Sequence, residues 1–275
     1  MSADDDPAFE RIQRPGMRAL VARERVSALR AAGLLDPTGI EAALAHAAGA
    51  HGRAPTAIVA LAQDFRLVVR PLRRGGLLGP LLGSTLFGPR RPLREFEVCA
   101  ALRHAGAPVP ETVLAVAWRR GLRWRGAVTT RMEEGVRDGL AFLEATPTQS
   151  GLASALRAAG HAVRRFHDAG GSHADLHVKN LLVRELPTSC EVLVVDLDRA
   201  RRMPSVSGRR RAVELMRLYR SLHKRRVIEV VGERGCVTFW RAYWYGDRSL
   251  RASVAEHLPQ QRRRSARHIR AYPRP

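Results

Sequence analysis

Two short stretches hold residues whose types and spacing could do chemistry together: His173-Ala-Asp175-Leu-His177-Val-Lys-Asn180 and Val194-Val-Asp196-Leu-Asp198-Arg199. A loop aspartate five residues before an asparagine can set one carboxylate and one amide around a single site. Sixteen residues past Asn180, Asp196 ends an apolar run, where an exposed carboxylate is held rigidly. Asn180 and Asp196 offer the hard oxygen donors that Mg²⁺ selects, and Mg²⁺ usually keeps phosphate oxygens in its shell. Asp175 is then free to orient an attacking hydroxyl or accept its proton. These are the parts of a phosphoryl-transfer site, where catalysis is mostly positioning and charge neutralisation. The pattern H-x-D-x-x-x-x-N alone arises by chance in roughly a few per cent of chains this long, and V-V-D at a strand end lowers that about tenfold. Zinc is a competing chemistry, because His173 and His177 are four apart. Against it, no glutamate stands between them, and Gly170-Gly171-Ser172 argues against a helix there.

The elements that position these stretches follow from periodicity. Residues 1–17 read as a flexible tail. Arg18 to Leu35 reads as a helix ended by Gly33. After the break at Gly49, Gly52 and Pro55, Thr56–Leu61 and Phe65–Arg70 read as a hairpin around Gln63-Asp64. Residues 73–92 are too rich in Gly and Pro for regular structure. Pro92 opens a helix with Phe96, Cys99, Ala100 and Leu102 near helical spacing, and Gly106 stops it. Val113–Trp118 and Gly126–Met132 read as strands. Asp138–Leu143 and Ser150–Asp168 read as helices, the second capped by Ser150. Leu181–Arg184 and Val192–Val195 flank the chemistry as short strands, and the rest is helical and arginine-rich. A strand-rich part thus precedes a helix-rich part, dividing the chain into a tail (1–17), a first lobe (18–134) and a second lobe (135–275).

Composition sets bounds on both. A chain of 275 residues makes one large domain or two small ones, and 45% hydrophobic with 27% charged residues is globular. There is no run of eighteen apolar residues, and the acidic start MSADDDPAFER is unlike a secretory signal. Cys99, Cys190 and Cys236 form neither a disulfide framework nor a zinc ribbon, which fits a cytosolic protein. Formal net charge is +21, and all but two of the 47 basic residues are arginine. The excess is concentrated after Leu197, where 21 basic residues face 6 acidic ones. Such a surface suits an anionic partner, whether nucleic acid, a membrane or a phosphorylated substrate; general arginine enrichment explains it equally well. Leu77–Leu82, with Leu86 and Phe87, is fenced by Arg73-Arg74 and Arg90-Arg91. That suits shallow docking on an anionic leaflet, or packing beneath the sheet. Arg262–Arg264 reads as a solvated run. The aromatics of Trp240–Gly246 invite a nucleic-acid reading, but their helical spacing favours a core.

The two chemistry-bearing stretches resemble the catalytic and metal loops of the protein-kinase-like superfamily. They are nearer its small-molecule branch, because His177 stands where protein kinases usually have lysine. VVRPLRRGGLLGPLL, REFEVCAALRHAGAPVPE, HADLHVKNLLV and VVDLDRAR occur in that order over about residues 49–202. Together they resemble the 3-deoxy-D-manno-octulosonic acid (Kdo) kinases of lipopolysaccharide synthesis. The resemblance implies an α+β, two-lobed kinase fold: an antiparallel β-sheet N-lobe with one main helix, and a mostly helical C-lobe. It implies Asp175 as the catalytic aspartate and Asn180 and Asp196 as Mg²⁺ ligands, with His173, His177 and Asp198 in support. Glu95 would brace the phosphate-binding basic residue. Gly49 and Gly52 fall at the phosphate loop, although GAHGR lacks the full G-x-G-x-x-G. No lysine precedes Lys179, so Arg70 takes the place of the strand lysine, and Asp198 replaces the usual glycine after the metal aspartate. The implied ligands are ATP and Mg²⁺, and the implied acceptor is the 4-hydroxyl of Kdo on a lipid A precursor. The implied location is peripheral, on the cytoplasmic face of the inner membrane, and a nucleic-acid partner is not expected. Two alternatives stand beside this: a kinase with another acceptor (a heptose, an antibiotic or a protein hydroxyl), and a degenerate kinase scaffold binding membrane or nucleic acid.

Overall fold

Val113 to Trp118 is apolar at every position instead of alternately, the pattern of a strand covered on both faces. In the computed structural model, which describes residues 8–47, 56–62, 65–72 and 86–270, this run lies in β5 (Thr112–Arg120). β5 sits inside a six-stranded antiparallel sheet with β1 (Phe9–Arg14), β2 (Met17–Ala22), β3 (Ala57–Ala62), β4 (Phe65–Pro71) and β6 (Arg123–Arg131). Their order is β1-β2-β5-β6-β4-β3. One face carries Ala19, Val21, Leu67, Val69, Leu114 and Val116, and it packs on Leu29 of α1 (Val26–Ala31) and Ile40 of α2 (Pro37–Ala47). The other face carries Leu20, Ala115 and Val128 against Leu93 and Phe96 of α3 (Arg90–His104). Strand alternation thus sends successive residues to opposite covers. A register shift between Thr112 and Leu114 brings Val113 to the same face as Leu114.

Residues 8–22 correct two expectations. The tail assigned to 1–17 is strand from Phe9, and the helix assigned from Arg18 begins as strand β2. β1 and β2 form a hairpin that turns at Gly16, where φ is +71°, and β2 pairs with β5 from Met17↔Trp118 to Val21↔Leu114. The helix-favouring Arg18, Ala19 and Leu20 are overruled because β5 offers an unpaired edge and two apolar covers. Only a 3₁₀ turn at Arg23–Arg25 and the short α-helix Val26–Ala31 remain helical.

The structure divides into two units, Met1–Ala100 with Pro110–Glu133, and Ala101–Val109 with Glu134–Pro275. The second contains α4 (Gly139–Glu144), α5 (Gln149–Asp168), α6 (Gly208–Lys224), α7 (Ile228–Trp244), α8 (Arg248–Ala255) and α9 (Leu258–Arg270). Its strands are β7 (Val136–Asp138), β8 (Gly171–Ser172), β9 (Leu181–Glu185), β10 (Cys190–Val194) and β11 (Arg201–Arg202), ordered β10-β9-β7 and β11-β8. α5 is capped by Thr148, whose hydroxyl accepts from the Gly151 N–H; the expected cap, Ser150, lies inside the first turn. A Cβ at Gly160 would lie 2.6 Å from the Phe239 carbonyl oxygen, so glycine is what lets α5 and α7 cross closely. Of the α7 aromatics, Tyr243 is fully buried, and the half-buried Trp240 stacks on the half-buried Trp244 at 5.0 Å. No helix among the described residues is long and apolar enough to cross a membrane.

Candidate functional site

The loop that carries Asp175 begins where α5 ends. Gly170 has φ +85°, and a Cβ there would lie 2.1 Å from the Met203 carbonyl oxygen, so only glycine allows β8 to pair with β11. His173 follows and is buried. Its Nδ1 accepts the Asp175 backbone N–H at 3.1 Å, so the ring proton sits on Nε2, which donates to the Val195 carbonyl at 3.0 Å. Burial lowers the pKa of His173 against the opposing hydrogen bond it donates to Val195, and the ring is held neutral. With both nitrogens engaged, His173 cannot serve a zinc ion without surrendering the loop.

Asn180 closes the other end of the loop, in a short 3₁₀ turn over Val178–Asn180. Its Nδ2 donates to the Asp175 carbonyl at 3.0 Å, and its own backbone carbonyl accepts from the Val195 N–H at 2.9 Å. The amide orientation follows from the acceptor it faces. Among the described residues the Asn180 side-chain oxygen has no protein partner, which leaves a hard donor available. Asp196 comes directly after Val195 with φ +60°, a left-handed conformation costing about 1–3 kcal/mol for a non-glycine residue and common at functional sites. The exposed Asp175 and Asp196 and the buried Asn180 are thus tied to one another through Val195. Asn180 and Asp196 supply two hard oxygens, a donor set that fits Mg²⁺ when phosphates complete its shell. His177 is half-buried with Nε2 3.8 Å from Asp175 Oδ2; burial lowers its pKa against the fields of Asp175 and Asp196. Asp198 is half-buried in the turn that follows.

Beneath the loop lies a polar cluster that sequence reasoning missed. Glu214 of α6 is buried and accepts three hydrogen bonds, from Ser172 Oγ (2.7 Å), the His173 backbone N–H (2.8 Å) and His167 Nε2 (3.2 Å). The fully buried His167 accepts at Nδ1 from the Tyr243 hydroxyl (2.8 Å), and Arg211 donates to the Tyr243 oxygen and to Asp168. Every proton in this chain has a place when His167 is neutral and Glu214 ionised. Burial lowers His167; it would raise Glu214, but the hydrogen bonds it accepts outweigh that and hold it low. One signal was available: Glu214 is the lone acidic residue between Asp198 and Glu229 in an arginine-rich segment.

In the first unit, Arg70 on β4 is ion-paired with Glu95 on α3. Glu95 is 5% exposed at the side chain and Arg70 32%, so a buried carboxylate holds a guanidinium that still reaches solvent. Gly49, Gly52, Arg73, Arg74 and Leu77–Leu82 lie outside the described residues. Of the apolar segment, Leu86 is buried with Phe96 and bridges to Trp124, while Phe87 is 87% exposed. The second unit also holds an apolar cavity of about 90 Å³ beside Phe142, Leu156, Val178 and Leu215. Its titratable lining is limited to Tyr219 and Cys236, whose pKa values are raised chiefly by burial, so it offers no acid–base machinery.

Comparison with known proteins decides the family. The model of the lipopolysaccharide kinase (Kdo/WaaP) family matches residues 45–243, a span that includes Arg70, Glu95, Asp175, Asn180, Asp196 and Glu214. The chain belongs to this family. It is a phosphotransferase acting on a sugar hydroxyl in lipopolysaccharide core synthesis. A 3-deoxy-D-manno-octulosonic acid kinase of Xylella fastidiosa is 32% identical over 204 residues, 72% of this chain and 76% of the relative. One from Vibrio parahaemolyticus is 29% identical over 179 residues, covering 64% and 71%. Among solved structures, WaaP in complex with acyl carrier protein superposes with a TM-score of 0.57 at 21% identity, covering 87% of this chain and 95% of that one. The kinase-like fold is therefore shared.

Proposed function

We propose that this family member transfers the γ-phosphoryl group of ATP to a hydroxyl of Kdo on a lipid A precursor, the 4-hydroxyl by resemblance. The observation that carries the reading is the tie of Asp175, Asn180 and Asp196 through Val195, within a segment shared with relatives named as Kdo kinases. Asp175 orients the acceptor hydroxyl and takes its proton. The hydroxyl oxygen forms a bond to the γ-phosphorus as the bond to the β–γ bridging oxygen breaks, and ADP leaves. Asn180 and Asp196 would hold Mg²⁺, which when bound would supply charge neutralisation for the phosphates. Arg70, aimed by Glu95, grips phosphate with a planar fork, where a lysine would act as a point charge. Enzyme and acceptor meet at the cytoplasmic leaflet, which the +21 charge and the exposed Phe87 favour.

The test is transfer from labelled ATP with Mg²⁺ to a Kdo–lipid A precursor, with Asp175→Ala beside the wild type. Loss of a general base lowers kcat by about 100- to 10,000-fold. Label on the lipid that vanishes in the variant supports the reading. Undiminished transfer by Asp175→Ala, or turnover only with a different acceptor, overturns it.

A further inference from the structure

Helix α6 carries five arginines, and their hydrogen bonds separate one from the rest. Arg210 donates to Ser172 Oγ; Arg211 donates to the Val206 carbonyl, Tyr243 and Asp168; Arg220 donates to Ser265 Oγ. Arg209 is exposed at the first turn. Arg217 differs from all of them. It is half-buried, it makes no hydrogen bond among the described residues, and its one ion pair is to Asp175 Oδ1 at 3.7 Å. That distance is too long for a hydrogen bond, so the guanidinium stands beside the Asp175 carboxylate with its donor fork unspent.

The two carboxylate oxygens of Asp175 face different neighbours. Oδ2 is 3.8 Å from His177 Nε2, on the loop itself. Oδ1 faces Arg217, which arrives from α6 and not from the segment bearing Asn180 and Asp196. A guanidinium with a free fork matches a carboxylate or phosphate bidentately, and a partly desolvated one gains more from that match than a fully hydrated one.

We propose that Arg217 is the specificity residue for the acceptor, pairing with a carboxylate or phosphate on the sugar whose hydroxyl Asp175 receives. This rests on the kinase reading above and adds the residue that would read the acceptor's negative charge, for which the carboxylate of a sugar acid is the fitting case.

Steady-state transfer is compared for Kdo–lipid A precursor and for the same acceptor with its Kdo carboxyl methylated, using wild type, Arg217→Ala and Arg217→Lys. Replacing a charge-assisted pair raises the acceptor KM about 10- to 100-fold in Arg217→Ala. The ATP KM stays within about twofold, because the interaction is absent from the nucleotide side. Wild type suffers the same loss on the methyl ester, Arg217→Ala treats acid and ester alike, and Arg217→Lys recovers only part. Thermal melts match wild type, since no hydrogen bond is removed. Equal losses on acid and ester, or an ATP KM that rises in step, overturn the proposal while leaving the Kdo assignment intact. Should wild type not phosphorylate the Kdo acceptor, the acceptor assignment fails, and calorimetric binding of free Kdo and of inorganic phosphate decides this one. Binding weakened in Arg217→Ala supports it, and unchanged binding ends it.

Discussion

The two units hold their candidate functional residues by different means. Arg70 in the first unit sits on a strand, paired across to Val128 of β6, and its direction is set by the ladder before any side chain acts. An ion pair with the buried Glu95 then adds to a position already fixed by the strand. Asp175 in the second unit sits on a loop with no ladder. Its place depends on His173, Asn180 and the Val195 backbone, and below them on Glu214 with three donors. A strand residue inherits position from register; a loop residue must be given it by buried polar contacts, and those become points of fragility.

The sharpest way to test that contrast is to remove Glu214. Glu214→Ala leaves Ser172, the His173 N–H and His167 without their acceptor and is expected to cost about 3–5 kcal/mol, the range for breaking a buried ionic network. Urea unfolding measures it, and an unchanged midpoint removes the claim that the loop hangs on this carboxylate. Glu95→Gln is the counterpart in the sheet. There the partly exposed Arg70 can turn to water, so stability falls by only about 1 kcal/mol. The kcat/KM for ATP falls about tenfold, a charge-assisted bond having been replaced by a neutral one.

A pH series tests the buried polar cluster of the second unit by titration. Burial lowers His167 and His173, and His177 to a lesser extent of burial, so the native state keeps them neutral while the unfolded chain takes up protons near pH 6.5. Their contribution is fully present above that value and is lost as pH falls through it, at up to about 1.4 kcal/mol for each unit of pKa displacement. Glu214, held low, adds a second loss as pH falls below its ordinary value of 4.5. Urea midpoints measured from pH 8 to 5 should fall toward the acid end, and a flat profile would contradict neutral buried imidazoles. The smallest effect is at the start of α5: Thr148→Ala costs about 1 kcal/mol, and Ser150→Ala much less, because only Thr148 accepts from the helix backbone.

Much of the fold was legible where the signal is local. The hairpin of β3 and β4 and the strands β5 and β6 follow from apolar runs bounded by turns, and Gly106 ends α3 with φ +82° as its position suggests. The region before residue 22 was not legible. Arg18 to Ala22 suits a helix as well as a strand, and only the edge of β5 opposite it selects the strand. The same holds for the cap of α5, where Thr148 and Ser150 are chemically equivalent until the backbone places one outside the helix and one within it.

For the candidate site the division is similar. Asp175 and Asn180 lie five residues apart and Asp196 ends an adjoining strand, so their grouping is written in short chain separations that sequence alone can express. Glu214 and Arg217 reach the loop from a helix about 40 residues on, Tyr243 meets His167 beneath it from 76 residues away, and nothing in their own neighbourhoods says what they will meet. The amino-acid sequence determined which groups could orient a hydroxyl and bind a hard cation. Tertiary packing decided which carboxylate holds the loop and which guanidinium is left unspent, because those roles depend on who stands opposite after the chain has folded.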